Sequence, residues 1–167
     1  MLLSEIAGGE DSPQLVLVFG RICSGKGTYC RNMPGYTQIV TSDIVRAVSK
    51  ANTRSGLQDT AHLDREIAAQ MVQAIQSVLD SGGKVVVDGI RQKSIVAAVK
   101  SAFPNVSTKL VWLDVPQDVL RQRYADRADK KDDQTFDDAY SRDEKLGVAD
   151  LEAELRGDKS VDFVKHF

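Results

Sequence analysis

The chain has 167 residues, enough for one domain with its own core, and 42% apolar with 28% charged content excludes a disordered polymer. A net charge of −2 excludes a global basic field for nucleic acid or membrane, and no apolar run approaches the ~20 residues of a bilayer span. Two cysteines cannot staple a fold of this size or supply zinc spacing; with no secretory pattern at the N-terminus, a reduced, cytoplasmic setting is expected.

Residues 1–13 mix glycine, acid and proline and read as a lead-in, so the expected domain is 14–167. Leu15-Val16-Leu17-Val18-Phe19 is an unbroken β-rich run stopping at Gly20. Continuous apolarity marks a strand covered on both faces, as in a parallel sheet. A short helix is expected at 25–32, a weaker strand at Thr37-Gln38-Ile39-Val40, and a helix at 43–51. Over 61–80, Leu63, Ile67, Met71, Ile75 and Leu79 recur at i+4, the stripe of a long helix with Asp59 or Thr60 as cap and Gly82-Gly83 as stop. A second buried strand, Lys84 to Asp88, is followed by a helix at 92–102; a third, Lys109 to Val115, by helices at 117–128 and 134–146. A helix at 148–156 and a strand at Ser160-Val161-Asp162-Phe163-Val164 complete the chain. Strands alternating with helices predict a three-layer α/β/α domain around a parallel sheet of about five strands. Cys30 and Trp112 read as core, Arg54 and Arg121 as solvated charges, and His62 and His166 have no catalytic setting.

Directly after the first strand stands Gly20-Arg21-Ile22-Cys23-Ser24-Gly25-Lys26-Gly27-Thr28. This fits G-x-x-x-x-G-K-x-T, the phosphate-binding loop, and makes the expected α/β/α domain one of the P-loop NTPase fold. Glycines let the backbone wrap an anion so that successive N–H groups point inward, and the following helix adds its positive N-terminal end. Gly20, Cys23, Ser24, Gly25, Gly27 and Thr28 would line this cradle, and Lys26 would reach the β- and γ-phosphates of ATP. The Thr28 hydroxyl would ligate Mg²⁺, and Asp88, at the carboxyl edge of the sheet, would hold a water on that ion. Cys23 is either a small loop residue or a thiol made reactive by the helix start.

Beyond the loop, the chain resembles the nucleoside monophosphate kinases of the adenylate kinase type. Their loop commonly ends G-K-G-T, as Gly25-Lys26-Gly27-Thr28 does; their T-G-D-x-x-R element is matched by Thr41-Ser42-Asp43-Ile44-Val45-Arg46. Their D-G-x-x-R is matched, one residue shorter, by Asp88-Gly89-Ile90-Arg91, and their D-V-P by Asp114-Val115-Pro116 ahead of Arg123, Arg127 and Arg142. The resemblance covers roughly 15–146. It implies that Arg46 and Arg91 grip an acceptor phosphate within an acceptor-binding region at about 41–80. It also implies that Arg123, Arg127 and Arg142 close over the transferring group from a short lid at about 121–142, where a basic stretch through Lys130 and Lys131 precedes four aspartates. Arginine suits this work because its planar fork binds phosphate oxygens in pairs.

Asp43 also stands where hydroxyl-phosphorylating relatives such as dephospho-CoA kinase carry an Asp. It therefore has two readings: it orients the substrate, or it takes a hydroxyl proton as general base. Three functions follow. The leading one is transfer of the ATP γ-phosphoryl group to a (deoxy)nucleoside monophosphate, with small-molecule partners and a monomer or dimer. The second is a kinase for a hydroxyl on a nucleoside, a dephospho-CoA-like precursor or a hydroxymethylated base in phage DNA. The third is a nucleotide-binding ATPase or switch.

Overall fold

Five strands run parallel in one sheet: β1 (Leu15–Gly20), β2 (Tyr36–Val40), β3 (Lys84–Asp88), β4 (Thr108–Asp114) and β5 (Asp162–Lys165). Their spatial order is β2-β3-β1-β4-β5, in a computed structural model describing residues 12–52, 63–127 and 135–166. Seven helices are described: α1 (Lys26–Arg31), α2 (Thr41–Asn52), α3 (Asp64–Asp80), α4 (Lys93–Ala102), α5 (Gln117–Asp126), α6 (Phe136–Lys145) and α7 (Val148–Arg156). Among the described residues no helix is long and apolar enough to cross a membrane.

The β1 run is apolar throughout because its two faces feed two cores. Leu15, Leu17 and Phe19 pack with Val48 of α2, Ile67, Met71 and Ile75 of α3, Ile95 and Val99 of α4 and Leu151 of α7. Val16 and Val18 pack on the other face with Tyr29 and Cys30 of α1 and with Met33. Each of these β1 side chains is at most 1% exposed, and full burial of one contributes roughly 1.5–3 kcal/mol. Cys30 and Trp112 are core residues, at 1% and 2% exposure.

The stripe read on residues 61–80 is the buried face of α3, which ends where Gly82 takes φ +84° and the Gly83 N–H returns to the Val78 carbonyl. Its proposed caps, Asp59 and Thr60, lie outside the described residues, as do His62, Arg54 and the 128–134 part of the lid. Helix α6 starts on a reciprocal cap between Thr135 and Asp138. With α5 it forms a small third core, in which Leu120, Tyr124, Phe136 and Ala139 pack against Ile22 and Cys23.

Most element boundaries differ from the sequence reading by one to three residues, and three of the differences carry a physical reason or consequence. Helix α1 spans six residues rather than eight, so its dipole is small. Helix α2 starts at Thr41, directly after β2, which puts its first turn at the sheet edge. Strand β5 starts at Asp162, because the Asp158 carboxylate accepts from both the N–H and the hydroxyl of Ser160 and holds the chain in a turn.

Candidate active site

Register brings the functional ends together. Val18 of β1 and Val40 of β2 both pair with Asp88 of β3, and Gly20 sits opposite Leu113 of β4. The chain leaves β1 there into the loop 20–28. A Cβ at Gly20 would lie 2.4 Å from Ser24 Oγ, so only glycine lets the loop close on its own first residue. Cys23 and Gly25 both take positive φ, 64° and 89°, on either side of the fully buried Ser24. For glycine that costs little; for Cys23 it costs about 1–2 kcal/mol, held by the surrounding contacts.

Next to the loop lies a cleft of about 530 Å³ whose wall includes Lys26, Arg31, Arg91, Arg123 and Arg127 against one carboxylate, Asp88. In a chain of net charge −2, five cations on one wall make a concentrated positive site. Lys26 Nζ donates to the Gly20 and Arg21 carbonyls at 3.0 and 3.1 Å. Burial pulls the Lys26 ammonium below its usual range, and the Asp88 carboxylate pushes back. Burial likewise lifts the Asp88 carboxyl, opposed by Lys26 and by a side-chain hydrogen bond from Gln38. Gly27 and Thr28 also line the cleft, and Thr28 Oγ1 accepts from Arg31 Nη2 at 3.1 Å.

The remaining arginines divide. Arg91 lines the cleft and its Nε lies 3.1 Å from the buried carboxylate of Asp143. Arg123 Nη1 donates to the Cys23 carbonyl at 3.1 Å, and Arg127 Nη1 approaches Cys23 Sγ at 3.7 Å. Asp43 and Arg46 are not on the cleft wall: they pair with each other along the exposed side of α2, their side chains 66% and 58% exposed. Arg142 is exposed too and off the wall. Its neighbour Asp143 shares the buried side of α6 with Phe136 and Ala139, and successive helical residues point about 100° apart. Arg121 pairs with Asp137 at the surface.

Sequence reasoning missed Arg31, Gln38, Ser42, Asp143 and His166. Arg31 was legible, three residues beyond Thr28 on one helix, a spacing that brings side chains together. Ser42 reaches the cleft wall only because α2 begins without a loop. Asp143 and His166 carry no local signal. Arg21, a non-glycine loop position, ties the loop outward through Glu152 at 2.9 Å and the Tyr140 ring.

These residues fit a nucleotide phosphate and a divalent cation. The loop supplies a glycine cradle and cations. Among the described residues no group of three or more His, Cys, Asp or Glu side chains is placed to hold a metal. A cation here would rest on Thr28 and Asp88 and take its other ligands from phosphate and water, as Mg²⁺ does.

A parallel sheet with this strand order and a G-x-x-x-x-G-K-x-T loop at the end of its central strand defines a P-loop kinase. Residues 15–146 match the family described as AAA domain (AAA_33), and the chain belongs to it. The chain is similar to UMP-CMP kinase 3 of Arabidopsis thaliana, at 23% identity over 81% of this chain and 71% of that protein. It is 31% identical to an adenylate kinase of Thermosynechococcus vestitus over 68% of this chain and 65% of the other. Among solved structures, a gluconokinase from Sinorhizobium meliloti superposes with a TM-score of 0.62 at 17% identity, covering 92% of this chain and 83% of that one. A sugar kinase from Janibacter gives 0.60 at 16%, over 90% and 84%.

Proposed function

We propose that the chain moves the γ-phosphoryl group of ATP to the phosphate of a (deoxy)nucleoside monophosphate, with Mg²⁺ as cofactor. The observation that carries this reading is the placement of cations on both flanks of the loop. Arg91 follows β3 on one side of β1; on the other, Arg123 belongs to the helix after β4 and Arg127 directly follows that helix. Two anions held in line across a central lysine need such an arrangement. The names of the nucleotide-kinase relatives support the same acceptor class.

In this mechanism Lys26 and the loop amides hold the polyphosphate, and Arg91 and Arg31 hold the acceptor phosphate. An acceptor oxygen attacks the γ-phosphorus, the bond to the bridging β-oxygen breaks, and ADP leaves with that electron pair. Arg123 and Arg127 meet the charge spread over the transferring group, and Arg142, exposed and off the wall, takes no part. When bound, a cation on Thr28 and Asp88 supplies further neutralisation of phosphate charge. A phosphate acceptor is already an anion and needs no general base, which leaves Asp43 and Arg46 paired on the exposed side of α2 with no step in this mechanism.

The second reading, a hydroxyl acceptor with Asp43 as base, draws on one feature: Asp43 adjoins Ser42, which lines the cleft. One screen separates the readings. ATP labelled at the γ position is offered with nucleoside monophosphates, nucleosides, dephospho-CoA, gluconate and hydroxymethylpyrimidine DNA, and products are read by mass spectrometry. Label on a monophosphate, with Asp43→Asn changing turnover only a few-fold, is the expected result. Label on a hydroxyl, with a loss of ~10²-fold or more in Asp43→Asn, would replace it by the second reading. Turnover that no acceptor stimulates would leave an ATPase or switch.

A further inference from the structure

Several elements converge on the outer side of the loop. Strand β5 ends beside Asp114 of β4, and the next backbone N–H, that of His166, donates to the Asp114 carbonyl at 3.4 Å. This sets the imidazole against the loop, with Nδ1 2.9 Å from the Ser24 carbonyl oxygen. A carbonyl only accepts, so Nδ1 carries the proton of that bond. The ring also occupies the space over Gly25, where a Cβ would meet His166 Cε1 at 2.7 Å. It meets Tyr29 of α1 edge-on, the ring centroids 5.7 Å apart. Arg123 joins the two segments, donating Nη1 to the Cys23 carbonyl and Nη2 to the His166 carbonyl at 2.8 Å.

The carbonyl of Ser24 and the N–H of Gly25 belong to one planar trans peptide and point in opposite directions. Holding the first aims the second. We infer that His166 is a positioning residue for the phosphate-binding loop: by anchoring the Ser24 carbonyl it fixes the Ser24–Gly25 peptide plane, and with it the direction of the Gly25 N–H. The device is needed because Gly25, on one side of that plane, and Cys23, one residue beyond Ser24 on the other, are both at positive φ, and for Cys23 an unbraced chain populates that conformation sparsely. The inference rests on residues 20–28 binding phosphate and on nothing about the acceptor.

Three variants separate the donor from the ring. His166→Phe keeps a ring against Gly25 and Tyr29 and lacks the donor; His166→Asn keeps a donor near the Nδ1 position and lacks the ring; His166→Ala lacks both. Each is titrated by calorimetry with magnesium-loaded ATP and with inorganic tripolyphosphate, which has no base or sugar. His166→Ala and His166→Phe are expected to bind both ligands roughly 3- to 10-fold more weakly, the scale of one lost hydrogen bond, with His166→Asn closer to wild type. In turnover the KM for ATP rises while kcat and the acceptor KM are retained. Weakened ATP binding with unchanged tripolyphosphate binding would overturn the inference, because His166 would then contact the base. Wild-type affinity in His166→Phe would overturn it as well, leaving a packing role alone. If His166→Ala does not fold, His166→Phe decides the matter. Absence of tripolyphosphate binding by the wild-type chain would remove the phosphate loop itself, and this inference with it.

Discussion

Lys26 is held by two loop carbonyls, and burial works against its charged form, a cost that a phosphate bound as proposed would offset. Lys26→Ala is expected to lower turnover by on the order of 10²-fold or more, with an unchanged far-ultraviolet circular dichroism spectrum. A variant retaining normal turnover with the identified acceptor would contradict the transfer mechanism. Asp143 acts one step further out, its 3%-exposed carboxylate setting the direction of Arg91 through Nε. Because Arg91 is partly solvated, the pair is worth less than a fully buried one. Asp143→Ala should raise the acceptor KM several-fold with a smaller change for ATP, and Asp143→Asn, which keeps an acceptor oxygen for Nε, should do less. Equal effects on both substrates in steady-state kinetics would count against that role.

Elements matter here chiefly through where they start and stop. A six-residue α1 supplies little dipole, so a phosphate bound as proposed would rely on loop amides, on Lys26 and Arg31 of α1 and on the arginines that follow β3 and β4. The α3–α4 contact carries a separate electrostatic signature. One Asp64 carboxylate oxygen is buried without a partner among the described residues, and the other accepts from Ser94 Oγ at 3.4 Å. Burial lifts the Asp64 carboxyl above its usual range, the Ser94 hydroxyl pulling it part of the way back. The folded chain therefore binds this proton more tightly than the unfolded chain, and stability declines as pH rises from about 4 through the raised folded value. Asp64→Asn should match wild type at low pH, flatten that decline and be the more stable protein at pH 7. Urea melts between pH 3 and 7 test this, and a wild-type advantage that grows with pH would show the sign to be wrong.

At the scale of the molecule, the cleft draws its wall from the loop, from α1, α2 and α5 and from the ends of β2 and β3, so its occupancy should stabilise the whole fold. Ligand at 100 times its Kd adds ~2.7 kcal/mol, which for a domain of this length raises Tm by roughly 5–10 °C. Scanning calorimetry with magnesium-loaded ATP should show that rise for wild type and little of it for Lys26→Ala. A similar rise in both would place the nucleotide elsewhere.

Much of this was readable from residue order. The unbroken apolarity of β1, the i+4 stripe of α3 and the glycine spacing at 20–28 are local patterns, and local patterns obey fixed backbone periods. They determined an α/β domain, a parallel sheet and a phosphate loop. Spacing cannot say which way a polar side chain faces. Arg142 and Asp143 are adjacent in the chain, yet only Asp143 turns inward, because α6 is rotated by the packing of Phe136 and Ala139. Asp43 and Arg46 satisfy each other along α2, and His166 meets Ser24 across 142 positions. Those choices depend on strand order and helix rotation, both set by burial summed over the whole chain, and tertiary structure alone decided them.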